Sequence, residues 1–235
     1  MANTLMIVNV DVPVPTPVWY LSGGIPSANC LFAYQPKGAA SYTASRINIA
    51  NPGTYDCTTM EYPVGWDTDS GWIFPHNGKS VLDIPWTPIS GNKYSMIFRF
   101  SNGTNNAFTT LDIISAGGRN TSTNSRFYIS PCYSSGGEKH VYGWSDSQVI
   151  IAGYVTSGVM CNAAGKAYLD GEYEGGSETA LEATGYEAGI GCQYQGDDHT
   201  SAASWVSAQV KALAVYNVAL SETQVVALTS AMNTL

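Results

Sequence analysis

The chain has 235 residues, which is enough for one large β domain with a single core or for two small domains. It carries 10 lysines and arginines against 18 aspartates and glutamates, so its formal net charge is −8. Binding to nucleic acid or to an anionic membrane needs clustered basic side chains, so this balance argues against both partners. No apolar run reaches the length of about 18 residues that a membrane span needs.

The N-terminal segment, residues 1–20, is predicted to be an arm outside the main domain of residues 21–235. Its first part alternates apolar and polar residues like a strand, and Pro13, Pro15 and Pro17 then impose an extended path without backbone donors. Two interpretations stay open: an edge strand with a stiff linker, or an arm that packs on a neighbouring subunit. The segment lacks the basic start and unbroken apolar run of a signal peptide.

The main domain reads as a succession of short strands separated by turns. Between Lys93 and Phe100, the apolar residues Tyr94, Met96, Phe98 and Phe100 fall on one face, which predicts a strand with a period of two. Further strand candidates follow about every ten residues, and glycine-rich turns lie between them. This spacing predicts an all-β protein built as a two-sheet antiparallel sandwich.

The C-terminus changes to a helical period. Ser221 and Gln224 form a capping-box pattern, and Val225, Leu228 and Met232 then fall on one apolar stripe. One amphipathic helix over about residues 221–233 is therefore predicted to pack against the sandwich.

Several segments together resemble the laminin-G-like domains of the concanavalin A-like lectin/glucanase superfamily. The residues that carry the resemblance are the closing strand, turn and helix of 210–228, the hairpin pattern of 165–171, and the early strands of 71–74 and 95–100. The resemblance implies a jelly-roll sandwich, with ligand loops at one edge or on a concave face and often a calcium ion near the rim.

A narrower resemblance points to a viral source. Residues 33–41 and 48–55, followed by Gly71-Trp72, look like laminin-G-like proteins of tailed phages and environmental viruses. The missing signal-peptide pattern agrees with a virion protein that is made in the host cytoplasm and released by lysis.

Carbohydrate binding is the ligand chemistry that the aromatic residues suggest. Aromatic rings stack on sugar faces while neighbouring polar side chains bond the hydroxyl groups. The candidates lie in or beside turn-rich segments: Trp66, Trp86, Trp144 and Tyr194. Core packing is the alternative role for each of them.

Acidic pairs in turns supply the hard oxygen ligands that calcium prefers. The candidate metal ligands are Asp67 and Asp69 in one turn, and Asp197 and Asp198 in another. Neither pair completes an EF-hand loop, so an ordinary polar turn is the alternative. The five cysteines lack zinc-type spacing and are expected to be buried thiols, with one disulfide as the alternative.

No catalytic signature emerges from the carboxylates or histidines. The nearest approach to a glucanase pattern is Glu172-Tyr173-Glu174, which lies between glycine turns, lacks a third acid and reads as solvated loop charges. The histidines, His76, His140 and His199, stand apart from any nucleophile motif.

The function predicted from the sequence is non-enzymatic: a virion structural or surface-display module, either a head decoration or a tail-associated protein. Its expected partners are further copies of itself, other virion proteins and host-surface glycans. The alternative is a cellular carbohydrate-binding or adhesion module that depends on calcium.

Overall fold

A computed structural model describes residues 18–59, 63–75, 80–103, 114–116, 126–133, 137–145, 147–182, 187–191 and 208–235. The described strands are β1 (Cys30–Tyr34), β2 (Thr58–Thr59), β3 (Gly65–Asp67), β4 (Gly71–Phe74), β5 (Leu82–Ile84), β6 (Ser95–Ser101), β7 (Ile114–Ala116), β8 (Arg126–Tyr133), β9 (Lys139–Ser145), β10 (Ser147–Ala152), β11 (Gly158–Ala163), β12 (Lys166–Leu169), β13 (Glu172–Gly176), β14 (Ala188–Ile190) and β15 (Ala208–Tyr216). The helices are two 3₁₀ turns (Trp19–Leu21 and Ser27–Asn29), α1 (Tyr42–Ser45) and α2 (Glu222–Asn233).

The described strands form two antiparallel sheets. The eight-stranded sheet has the order β13-β12-β11-β6-β15-β4-β3, with β1 paired to the second half of β15. The seven-stranded sheet has the order β10-β9-β8-β7-β14-β5-β2. This arrangement confirms the all-β, two-sheet sandwich with one short C-terminal helix, and it places β13 and β10 at outer edges of their sheets.

The main core lies between the two sheets. Met96, Phe98 and Phe100 alternate along β6 and pack inward from the eight-stranded sheet. Phe127 and Ile129 face them from β8 of the other sheet. The period-2 pattern between Lys93 and Phe100 is therefore confirmed, because removing one face of the strand from water requires the alternate residues to be apolar.

A second core covers the outer face of the eight-stranded sheet. Helix α2 lays Val225, Leu228 and Met232 on outward-facing residues of the sheet, and Trp19 packs there from the N-terminal side. The helix begins as the sequence predicts. Ser221 accepts a hydrogen bond from the Gln224 backbone, and the Gln224 side chain accepts one from the Ser221 backbone in return.

The N-terminal arm prediction is only partly covered by the described residues. Residues 18–20 enter the structure, where Trp19 is buried in the second core and the Tyr20 hydroxyl donates to the carbonyl of Ile49. The rest of the predicted arm, residues 1–17, lies outside the described part of the chain. Among the helices that are described, none has the length and apolar character to cross a membrane.

Candidate functional site

A pocket opens at the edge of the sandwich where the β9–β10 hairpin meets the end of β13. We call it the edge pocket. Its free volume is about 110 Å³. The seven-stranded sheet and its hairpin contribute Tyr142, Trp144, Ser147, Gln148 and Val149, and the opposite side is formed by Gly165, Gly176, Ser177 and Thr179.

Two glycines bring the walls of the edge pocket close together. Gly165 and Gly176 have φ angles of +99° and +91°, a backbone region that side chains disfavour. A Cβ on Gly176 would lie 2.0 Å from the Gly165 carbonyl oxygen, and a Cβ on Gly165 would lie 2.5 Å from the Ser177 carbonyl oxygen. Any larger residue at either position must therefore displace backbone, so the shape of this wall depends on glycine.

Trp144 lines the pocket and carries a buried donor. Its side chain is only 2% exposed and packs edge-on against Phe127, with ring centroids 4.8 Å apart. Its indole N–H, however, has no hydrogen-bond partner. Cδ1, the ring atom bonded to Nε1, lies 3.1 Å from where a Cβ on Gly165 would be. The Cγ–Cδ1 side of the ring therefore lies against Gly165, which lines the pocket, and an unpaired buried donor costs about 1–3 kcal/mol.

Asn162 ties the two sheets together behind this pocket. It is fully buried on β11, donates from Nδ2 to the Gly143 carbonyl at 3.0 Å and accepts from the Gly165 backbone N–H at 2.9 Å. One side chain thus fixes β9 of the seven-stranded sheet and the β11–β12 turn that carries Gly165. Burial is tolerated because both ends of the amide are paired.

A polar network adjoins the edge pocket through Tyr142. The Tyr142 hydroxyl lies 2.6 Å from Oε2 of Glu174 and 3.0 Å from the carbonyl of Tyr168. Burial, and then the contact with Glu174, raise the pKa of Tyr142 well above its ordinary range. The tyrosine therefore stays a neutral donor at neutral pH.

His140 completes this network from the same face of β9. Its Nδ1 lies 2.9 Å from the Gly153 carbonyl and must donate, because a carbonyl only accepts. Its Nε2 lies 3.0 Å from both carboxylate oxygens of Glu174. A proton must sit between Nε2 and the carboxylate, since two lone pairs would otherwise face each other. The expectation of a solvated loop carboxylate is thus wrong for Glu174, which is half-buried on strand β13 and joins the two sheets.

The remaining rim of the pocket is held by an ion-pair triplet. Glu178, which lies between Ser177 and Thr179, bonds Lys93 at 2.7 Å and Lys166 at 2.9 Å. These two hydrogen bonds lower the pKa of the Glu178 carboxyl to about 2. The triplet anchors the segment after β13 to Lys166, which lies on β12, and to Lys93, which precedes β6.

The candidate sugar-binding aromatics have different surroundings. Trp144 lines the edge pocket, whereas Trp86 is buried in the main core between Phe32 and Tyr94. Trp66 is half-buried, and its indole N–H already donates to the Pro36 carbonyl at 2.8 Å. The fourth candidate, Tyr194, lies outside the described residues. Of the three described residues, only Trp144 combines a pocket with an unpaired polar group.

Of the candidate calcium ligands, Asp67 already accepts hydrogen bonds from the backbone of its own turn. Oδ1 of Asp67 accepts from the backbone N–H groups of Asp69 and Ser70, and these bonds, the one from Ser70 foremost, lower the pKa of Asp67. Within the described ranges, no group of three or more potential ligand residues of the His, Cys, Asp and Glu types is present. Asp197 and Asp198 lie outside those ranges, so calcium binding stays a prediction.

The described cysteines match the expectation of buried thiols. Cys30, Cys57, Cys132 and Cys161 are all buried and free. Burial raises the pKa of Cys132 to about 11 and that of Cys30 to about 12. A thiol that stays protonated is a weak nucleophile, so these four residues have a packing role. Cys192 lies outside the described residues.

Sequence reasoning found Trp144 but missed the residues that build the pocket around it. Asn162 bonds one group 19 residues away and His140 bonds one 34 residues away, and no local sequence pattern indicates such pairs. An asparagine three residues before Gly165 is a turn signal that could have drawn attention to the β11–β12 connection.

Comparisons with known proteins show similar folds but assign the chain to no family. No protein-family model matches the chain, and no curated protein sequence matches it. A Trypanosoma rangeli sialidase mutant that displays trans-sialidase activity is similar over 88% of this chain, with a TM-score of 0.57 and 12% identity. A structure of botulinum neurotoxin type C, which enters cells through interaction with two ganglioside molecules, is similar over 88% of the chain, with a TM-score of 0.55 and 11% identity.

This chain spans 34% of the sialidase and 52% of the toxin chain, so it corresponds to a part of each. A looser likeness, with a TM-score of 0.49 and 16% identity, joins 86% of this chain to 98% of domain 4 of a Geobacillus stearothermophilus arabinanase, solved with arabinotriose. At these identities the first two comparisons show a common architecture only. The chain therefore shares a β-sandwich architecture with parts of these two proteins.

Proposed function

We propose that this chain is a non-enzymatic, glycan-binding module that is displayed on the surface of a virion. The observation that carries the glycan-binding part is the unpaired, 2%-exposed indole N–H of Trp144 at the edge pocket. A donor of this kind costs stability unless a ligand or water accepts from it, and the hydroxyl and amide groups that line the pocket suit a sugar.

Two further observations support this proposal. The toxin that has a similar fold over part of its chain enters cells through interaction with two ganglioside molecules, and this precedent supports glycan recognition. No carboxylate is among the residues that line the edge pocket, and glycoside hydrolysis of the usual kind needs two of them about 5–10 Å apart. Binding without cleavage is the function that this lining favours.

The glycan-binding part is tested by applying the purified full chain to a glycan array. We expect a restricted set of glycans to bind the wild-type chain and to lose at least about tenfold in affinity with Trp144→Phe, which removes the donor. Trp66→Phe is the matched control, because the Trp66 donor is already paired with the Pro36 carbonyl. An array without any bound glycan contradicts the proposed function.

The virion part is proposed together with self-assembly, as a head decoration or tail-associated protein. Light scattering coupled to size exclusion should find a defined oligomer that persists in EDTA. Peptides of the chain should also occur in gradient-purified particles at a constant ratio to the major capsid protein. A monomer that calcium stabilises, together with absence from particles, would favour a cellular calcium-dependent adhesion module instead.

A further inference from the structure

We propose that the edge pocket binds the acetamido group of an N-acetylated, uncharged sugar. This inference rests on the proposed glycan-binding function and names the chemical group that the pocket recognises. Three properties of the pocket carry it: its size, its donors and apolar surfaces, and the charges that surround it.

The size of the pocket fits a substituent rather than a whole sugar chain. Sites that enclose drug-sized ligands have volumes of about 300–1,000 Å³, whereas the edge pocket has about 110 Å³. It can take one group that projects from a larger molecule. The wall at Gly176 cannot retreat, because backbone of Gly165 lies directly against it.

The lining matches the three parts of an acetamido group. The Trp144 N–H lacks an acceptor, and an amide carbonyl is a strong one. Val149 offers apolar surface for a methyl group, and the Thr179 and Ser147 hydroxyls can accept from an amide N–H. A sugar hydroxyl in the same place would leave the apolar surface uncovered.

The charges near the pocket favour an uncharged ligand. None of its lining residues is charged, and the carboxylate of Glu174 lies 2.6 Å from the hydroxyl of Tyr142, which is one of them. The nearby lysines, Lys93 and Lys166, are already bonded to Glu178. A carboxylate in the pocket would therefore find no cationic partner among the residues that line it.

The decisive experiment is calorimetric titration of the full chain with methyl N-acetyl-β-glucosaminide, methyl β-glucoside and methyl β-glucuronide, each at the same ionic strength. We expect the N-acetylated sugar to bind about tenfold more tightly than the glucoside, because only it pairs the Trp144 donor. Trp144→Phe should reduce this ratio to within about twofold, and Trp66→Phe should preserve it.

A second measurement needs no variant and so does not depend on folding of Trp144→Phe. Lengthening the N-acyl group from acetyl to propanoyl to butanoyl should weaken binding at each step, because the glycine wall cannot move away. Tighter binding of the glucuronide, lost in Trp144→Phe, would overturn the acetamido proposal and leave glycan binding at this pocket intact. Equal affinity along the acyl series, or no binding of the N-acetylated sugar, would also overturn it, whereas the proposed glycan-binding function is decided by the glycan array.

Discussion

The outer face of the eight-stranded sheet and the open edge of the sandwich are closed in different ways. On the outer face, α2 covers the sheet with Val225, Leu228 and Met232, and the contact is apolar. At the edge, the two sheets are joined by Asn162 and by the Glu174 pair with His140, and the contact is polar. Apolar contact tolerates small shifts in position, whereas hydrogen bonds fix position and direction. A site that must hold a defined shape is therefore better placed at the edge.

Because of this difference, we expect substitutions under α2 to alter the stability of the fold but not glycan binding. Substitutions at the edge should alter both. The largest effect should come from Leu228→Ala, which removes a fully buried side chain from the second core. We expect the free energy of unfolding to fall by about 2–5 kcal/mol, measured by urea denaturation. The affinity of the remaining folded protein for its glycan should stay unchanged.

Val226→Ala is the matched control for Leu228→Ala, because Val226 lies on the same helix and is 49% exposed. It should change stability by no more than about 0.5 kcal/mol. An altered glycan affinity of folded Leu228→Ala would show that the sheet face under α2 and the edge pocket are coupled. It would contradict the expected independence of the two regions.

Asn162→Ala tests the polar contact between the two sheets at the open edge of the sandwich. The substitution leaves the Gly143 carbonyl and the Gly165 N–H without their side-chain partner in a buried place, so unfolding should become easier by roughly 1–3 kcal/mol. Because Gly165 lines the edge pocket, glycan affinity should fall as well. Asn51→Ala, at an exposed asparagine, serves as the control and should change neither quantity. Normal affinity in folded Asn162→Ala would contradict a role in positioning the pocket.

Ser221→Ala probes the start of α2 with a smaller change. It removes the acceptor of the Gln224 backbone N–H and should lower the free energy of unfolding by about 1 kcal/mol, again without effect on binding. Ser230→Ala, at an exposed position inside the same helix, should instead raise the free energy of unfolding slightly, because alanine is the better helix former. Equal effects of the two variants would argue against the cap.

The smallest expected effect concerns the ion pairs of Glu178 at the rim of the pocket. Its pKa is lowered to about 2 from 4.5, so its stabilising contribution is complete above pH 4.5 and is lost as the pH falls towards 2. Glu178→Gln should therefore lose less stability than the wild type over this acid range in thermal melts. Glu172→Gln, at an exposed neighbour on β13, should follow the wild-type curve.

The sequence was informative where a local period or a cap decides the structure. Alternation along β6 and the box formed by Ser221 and Gln224 predicted both elements within a residue or two of their bounds. The edge was harder to predict, because the glycines at both ends of Glu172–Gly176 are typical of turns. The short edge strand between them was therefore interpreted as a loop. The partners of Asn162 and Glu174 come from other strands, and only the folded sheets bring them together.

The pairing of β15 has a consequence for how the chain folds. This single strand, near the C-terminal end of the described chain, contacts β1, β4 and β6, and its partner Cys30 lies far away in sequence from Tyr216. The eight-stranded sheet cannot close until these distant segments have been synthesised and have met. Contacts over such sequence distances slow folding and leave unpaired strands exposed meanwhile. We therefore expect slow refolding and a tendency to aggregate during synthesis, and chaperone binding to nascent chains that stop short of β15.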